Sequence, residues 1–267
     1  MSFALNWRAF PEPDGPLCYA EVPWDSELYG FPFYELRCAP DAAGRLAPHL
    51  AAWLRGLRSR PALVYAKIPS QAVAQNQLLC AHGFYPVETM VELSLPLERM
   101  VAVTSRPPEH ARLRPAAEAD LPQLVSAAAG AFRADRLHLD TNLPADKADR
   151  RFARWLELGW RAGEPVFVLE DRRSGGLIGF FHVRAVDPRT VDLSLGGLAA
   201  AYQRSGLGAV LYQSVLTECR ARGYRTAVTR VSINNLDIVN LFARLGFSFR
   251  NPVTTLHWFQ AGAGEGA

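Results

Sequence analysis

Beyond residue 111 the apolar positions switch repeatedly between alternation and helical spacing, so the chain can be read element by element. A short strand over Arg112 to Pro115 leads to a helix over about 118–132, with Asp120 at its cap and Pro122 in its first turn. Phe152, Trp155, Leu156 and Gly159 recur at helical spacing and predict a second helix over about 145–162. Two strand-like runs follow, PVFVLED and LIGFFHVRAV, and the turn Arg173-Ser174-Gly175-Gly176 between them makes a hairpin. A third strand, VDLSLGGL, passes through AAYQRSGLG into a helix over about 206–222, with Leu207, Val210, Leu211, Val215 and Cys219 on its apolar face and Gly223 ending it. The strand TAVTRVSI, the helix NLDIVNLFARLGF and the strand VTTLHWF complete the order β-α-α-β-β-β-α-β-α-β. That order describes a mixed α/β layer of the α+β kind and not a strictly alternating parallel sheet.

The N-terminal part carries a fainter version of the same pattern. In LVYAKIPSQAVAQNQLLCAHGFYPVETMVELSL a strand, a helix ending in His82-Gly83-Phe84 and a strand succeed one another, as they do around Leu245-Gly246-Phe247. The first copy has no glycine loop. The Pro-Pro pair at 107 and 108 suggests a linker over 99–111 between a smaller α/β half-domain, residues 1–98, and a main domain, residues 112–260. The end of the chain, residues 261–267, reads as a disordered tail.

Composition narrows the classes. A 49% hydrophobic share in 267 residues supplies a buried core. Residues 1–110 hold 9 Lys and Arg against 11 Asp and Glu, whereas residues 111–267 hold 20 against 15. This surplus is too thin for a nucleic-acid groove but suits a small polyanionic ligand. Cys18, Cys38, Cys80 and Cys219 are too scattered for a C-x-x-C pair, and the six histidines lack ligand spacing, so neither a metal site nor a disulfide framework is expected. No basic segment with an apolar run opens the chain, and no stretch approaches the ~20 apolar residues of a membrane span. A cytoplasmic protein without nucleic-acid or membrane partners is the expectation.

The candidate chemistry centres on Gln203-Arg204-Ser205-Gly206-Leu207-Gly208-Ala209, a glycine-bearing turn between a strand and a helix N-terminus. Small residues there let backbone N–H groups approach a pyrophosphate, and the helix dipole adds roughly half a positive charge. It is neither a Walker loop nor a G-x-G-x-x-G dinucleotide turn. The alternative is a turn that uses glycine only for its shape.

Read as Q-x-x-G-x-G/A in this order of elements, residues 111–260 resemble the GNAT acetyltransferase superfamily. The resemblance implies an acyl-CoA N-acyltransferase fold with a splayed central sheet and acetyl-CoA as co-substrate, without a metal. It implies that backbone groups near Gly197, Leu198 and Ala199 hold the pantetheine arm and that the Gln203 to Ala209 loop holds the phosphates. Asn235, with Gly246-Phe247 after it, resembles the family's second motif, which adds Asn235 and Phe242 to the cofactor-binding set; a helix cap at each end reads equally well from the residues. Many members have a tyrosine where this chain has Phe242, so the usual general acid is missing or supplied from elsewhere. Ile238, Leu241, Phe242 and Leu245 also fall on one helical face, which favours Phe242 as core.

Residues 20–98, with Trp24-Asp25-Ser26-Glu27-Leu28-Tyr29-Gly30-Phe31 foremost, resemble the N-terminal half-domain of the dTDP-fucosamine N-acetyltransferase group. That likeness implies a nucleotide-linked amino sugar as acceptor, with Asp25 and Tyr29 binding it, and direct attack of its amine on the thioester; a homodimer is compatible with it. A purely structural cap is the other reading of the segment. Asp192, Ser194 and Tyr202 are the candidate catalytic residues for amine deprotonation, with His182 on the neighbouring strand. His257 reads as a packed histidine, and Asp187 and Arg189 as a solvated turn. Two alternatives stay open: acetylation of a protein N-terminus or lysine, and a non-catalytic CoA-binding module.

Overall fold

A computed structural model describes residues 5–10, 15–39, 43–103 and 108–262. The elements in chain order are β1 (Arg8–Phe10), β2 (Leu17–Glu21), α1 (Pro23–Tyr29), β3 (Phe33–Cys38), α2 (Ala43–Leu57), β4 (Ala62–Pro69), α3 (Val73–Ala81) and β5 (Tyr85–Pro96). There follow β6 (Ala111–Pro115), α4 (Leu121–Ala131), α5 (Arg136–Leu139), α6 (Ala145–Arg161), β7 (Val166–Asp171), β8 (Gly176–Asp187) and β9 (Thr190–Leu198). The chain closes with α7 (Leu207–Ala221), β10 (Thr226–Ser232), α8 (Leu236–Leu245) and β11 (Ser248–Gln260). Short α5 is the one helix of the later region that apolar spacing did not show. Among the described residues no helix is long and apolar enough to cross a membrane.

Two compact units form, and neither is a single stretch of chain. The larger holds residues 91–135 and 148–250; the smaller holds 2–90, 136–147 and 251–267. Four residues of the expected linker, 104–107, and five of the expected tail, 263–267, lie outside the described residues. The start of that linker belongs to the larger unit, where Val101 N–H donates to Leu245 O (3.1 Å) and Val103 N–H to Gln213 Oε1 (2.9 Å).

In the larger unit the strands run β5, β10, β9, β8, β7, β6. The strands β6 to β9 pair antiparallel, while β9 and β10 are parallel and joined through α7. One face buries Phe181, Val183, Val191 and Leu193 against α7 and α8, which contribute Leu211, Val215, Leu216, Leu241 and Leu245. The opposite face buries Val166, Val168, Phe180 and Leu195 against Leu124 and Ala128 of α4 and Phe152 and Leu156 of α6. Along α6 the buried positions are Ala148, Phe152, Leu156 and Gly159, one stripe at helical spacing. Asp120 does not cap α4 as the sequence suggests. Its carboxylate instead accepts from Ala117 N–H (2.7 Å) and from both terminal nitrogens of Arg114 (2.6 and 2.9 Å), closing the turn before the helix.

In the smaller unit the order is β1, β2, β3, β4, β11. The parallel pair β3 and β4 encloses α2, and Val253 to Gln260 of β11 pair antiparallel with β4 from Pro69 to Ala62. Its apolar core gathers Leu36, Leu50, Val64, Leu79, Leu256 and Trp258. Beside it lies a buried polar network. Arg136 donates to His257 Nε2 (3.1 Å), reaches Asp25 Oδ2 at 3.5 Å, and stacks 4.0 Å from the centre of the Tyr65 ring. An arginine nitrogen can only donate, so His257 Nε2 is an acceptor and Nδ1–H faces Asp140 Oδ2 at 2.7 Å. Asp140 also accepts from Tyr85 OH (2.9 Å) and Asn142 N–H (3.0 Å). Both α3 and α8 are followed by a left-handed glycine, Gly83 at φ 89° and Gly246 at φ 91°.

Candidate active site

The site of interest in the larger unit begins with a failure of strand pairing. Thr226, Ala227 and Val228 of β10 pair with Thr190, Val191 and Asp192 of β9, and the ladder then stops although β9 continues to Leu198 and β10 to Ser232. The cause lies on the other edge of β9. Between the pairs His182–Leu195 and Arg184–Asp192, β8 contributes Val183 alone while β9 contributes both Leu193 and Ser194. An extra residue bends the strand that carries it and sharpens its twist, which swings the end of β9 away from β10. Thr229 Oγ1 donates to Leu193 O (2.9 Å) and fastens the base of the fork.

The diverging stretch is built thin. A Cβ on Gly196 would enter the Phe181 ring, and one on Gly197 would come within 2.7 Å of Ala131 Cβ. Leu198 leans on the core, and Ala199 N–H is committed to Ile178 O (2.9 Å).

Beyond the fork the chain makes a tight turn and enters α7. Tyr202 N–H returns to Ala199 O (2.8 Å), Ser205 Oγ donates to Tyr202 O, and Leu207 N–H donates to Ser205 Oγ (3.3 Å). Left-handed Arg204 (φ 62°) and Gly206 (φ 80°) turn the backbone, with Gly206 as the helix cap. Gln203, Arg204, Ser205 and Gly206 are exposed, and a Cβ added at Gly208 would meet nothing within 4 Å. This arrangement gives an anion room to approach first-turn N–H groups at the positive end of a 15-residue helix. Ala209 N–H bends back to Gly206 O (3.3 Å).

Proton-handling groups collect on the sheet face that α4 and α6 cover. Asp192 Oδ2 accepts from Arg184 (3.0 Å) and from Ser194 Oγ (3.1 Å), so two of the expected catalytic residues share one hydrogen bond. Tyr202 instead sends its hydroxyl 3.5 Å toward Asp171, whose carboxyl is held below the usual range chiefly by Arg173 N–H. His182, paired across the strand with Leu195, lies on the α4 and α6 face with its ring beneath Gly159. Its Nε2 is 2.7 Å from Glu164 Oε2, and a Cβ on Gly159 would fall 2.5 Å from that nitrogen. Burial lowers the His182 pKa, while the Glu164 carboxylate pulls it back up. Neither motif nor spacing singled out Glu164, Arg184 or the bulge.

Two other expected residues are already occupied in the fold. Asn235 Oδ1 caps α8 by accepting from Ile238 N–H (3.4 Å). Phe242 is 3% exposed and packs edge-on against Tyr212 and Phe247, with ring centres 5.3 and 4.7 Å away, so its ring is core. In the smaller unit the expected acceptor residues are interior: Asp25 is fully buried near Arg136, and Tyr29 packs against Phe31 and Phe33.

A mixed sheet forked between two parallel strands, with a glycine turn leading from the fork into a helix, defines the GNAT fold. Residues 128–247 match the model of the Acetyltransferase (GNAT) family. The chain is also similar to a GCN5-related N-acetyltransferase from Sphaerobacter thermophilus, with a TM-score of 0.70 at 17% identity over 95% of this chain and 80% of that one. A tandem GNAT protein from the clavulanic acid biosynthesis pathway superposes with a TM-score of 0.59 at 17% identity, over 94% of this chain and 79% of the other. A mycothiol acetyltransferase of Corynebacterium glutamicum is 30% identical over 98 residues, which are 37% of this chain. The chain spans about a third of that relative's length, 33%.

Proposed function

We propose that the protein transfers an acetyl group from acetyl-CoA to a primary amine of a small molecule. The fork between β9 and β10, opening onto the glycine-bearing N-terminus of α7, carries this reading. The space over Gly208 fits a pyrophosphate, which would sit against the backbone of Gln203 to Ala209. The pantetheine arm would follow the free edge of β9 near Leu198 and Ala199. Acetyl-CoA brings an acyl carbon already activated as a thioester. The chain's own contribution is to aim that carbon, exclude water and take a proton from the incoming amine. The acceptor amine would approach beside Asp192 and Ser194, which share a hydrogen bond on the face that α4 and α6 flank.

The acceptor we favour is an amino sugar linked to a nucleotide, on the likeness of residues 20–98 to the dTDP-fucosamine group. Asp25 and Tyr29 would serve it indirectly, by fixing α1. The test is to incubate the protein with acetyl-CoA and separate panels of amino sugar nucleotides, polyamines and peptides, following thiol release and acetylated product. Release with amino sugar nucleotides alone supports the reading. Preference for peptides would make it a protein acetyltransferase, and CoA binding without release on any panel would make it a binding module.

A further inference from the structure

We propose that His182, held by Glu164, is the general base of the reaction, taking the acceptor's proton at Nδ1 through one bridging water. The inference rests on the acetyl-transfer reading above and on three features of the larger unit. His182 is fully buried, yet no described residue gives Nδ1 a hydrogen bond, which is costly for a ring nitrogen unless something else satisfies it. Glu164 lies 2.7 Å from Nε2; an ionised carboxylate only accepts, so the proton resides on Nε2 and the lone pair on Nδ1. Finally, His182 flanks the bulge itself: it is the β8 residue opposite Leu195, just beyond the point where β9 leaves β10.

A carboxylate that fixes one nitrogen of an imidazole and stabilises its cation leaves the other nitrogen as the base. The Glu164 side chain is 24% exposed, while the ring beside it is dry. The charged groups acting on the ring are Glu164 in the connection from α6 to β7, Arg184 on β8 and Asp192 on β9. Glu164 and Asp192 favour its cation, while Arg184 and burial oppose it, and burial prevails, so the pKa lies below the ordinary imidazole value and the Nδ1 lone pair is open at neutral pH. Gly159 is glycine because any side chain there would strike this ring.

The step balances as follows. The acceptor ammonium gives one proton through the water to Nδ1 and becomes a neutral amine. Its lone pair forms the C–N bond to the thioester carbon, the C–S bond breaks, and that electron pair leaves on sulfur. The second proton shed by nitrogen goes to the thiolate, and His182 returns its own proton to solvent. Asp192 and Ser194 then position the acceptor and are not the base.

Two variants test the assignment, with an amino sugar nucleotide that releases thiol with the wild type. His182→Gln keeps a donor for Glu164 and is expected to lower kcat/KM by about 10²- to 10⁴-fold and to remove the acidic limb of the pH profile, with CoA affinity unchanged. Glu164→Gln removes the carboxylate that raises the histidine's pKa, so the acidic limb should move to lower pH and the plateau should fall. A structural role would leave that limb in place. A folded His182→Gln protein within about tenfold of the wild type, or a Glu164→Gln limb that does not move, would overturn the assignment. Absence of thiol release by the wild type on every panel would overturn acetyl transfer itself and the assignment with it.

Discussion

Replacing Gly208 with valine separates the cofactor site from the fold that carries it. Gly208 is the second residue of α7, and a Cβ built there meets no atom within 4 Å, so the protein itself offers no clash. Valine is a better helix former than glycine by a few tenths of a kcal/mol, about the difference between ~1 and ~0.5, so thermal stability should hold or rise slightly. Every Cα–Cβ bond in a helix leans toward the N-terminus, which sends the two valine methyls over the first turn. A phosphate oxygen must come within about 2.9 Å of an amide nitrogen to be bound there, and the methyls occupy that approach. Acetyl-CoA affinity is expected to fall more than about tenfold, or ~1.4 kcal/mol. Calorimetric titration with CoA, paired with a melting curve, reads both quantities. Unchanged affinity in a folded variant would refute the cradle and move the phosphates elsewhere. Gly206→Val makes a useful contrast: φ there is 80°, so strain of ~1–2 kcal/mol would lower stability as well.

Other outcomes follow from burial and charge. Phe242→Tyr puts a hydroxyl into the core and should cost ~1–3 kcal/mol in denaturant titration without raising turnover; a gain in turnover at low pH with unchanged stability would place this ring at the thioester. Gly196→Ala should cost ~1–3 kcal/mol by pressing on Phe181, and wild-type melting would contradict the packing described. Asp25→Ala removes the buried carboxylate beside Arg136 and is expected to destabilise by ~3–5 kcal/mol, read as a lower urea midpoint. Burial pushes the Asp140 carboxyl up, but bonds from His257, Asn142 and Tyr85 outweigh it and hold the pKa below the ordinary value. Its contribution is thus present above about pH 4, the unfolded value, and is lost as pH falls through the lower folded one. Stability curves of Asp140→Asn and wild type should converge in acid, and a constant gap would exclude the linkage.

Much of the larger unit was legible because its helices carry single apolar stripes and its turns carry glycine. Phe152, Leu156 and Gly159 of α6 and the helix from Leu207 to Ala221 stand where spacing put them, while Trp155 is only partly buried. Period reveals which face of a strand is buried but not which strand lies beside it. For that reason the bulge at Leu193 and Ser194 was invisible: it exists only in the register between β8 and β9. The same limit hid the placing of β11 beside β4, since VTTLHWF looks alike at any edge. His182 in GFFHV reads as a core residue, and Glu164 is 18 positions away; the one available signal was a glycine on the buried stripe of α6, facing something too large for a side chain. Asp25 and Tyr29 were singled out through the likeness of residues 20–98 to another group of enzymes, and spacing could not show that both side chains are buried.

The smaller unit draws on three separated stretches, which has a consequence in time. Asp25, Arg136 and His257 meet in one buried cluster, and β4, paired with β3 on one side, has its other neighbour only once residues 253–260 exist. A nascent chain that has emerged through residue 98 therefore holds a carboxylate without its guanidinium and a strand with a bare edge. Such an edge is a template for pairing with another chain. Long-range pairing of this kind also folds late, because loop closure precedes the contacts that reward it. On the ribosome the N-terminal residues are made first and finished last, so a premature stop anywhere before β11 should release an aggregating polypeptide in place of a folded half.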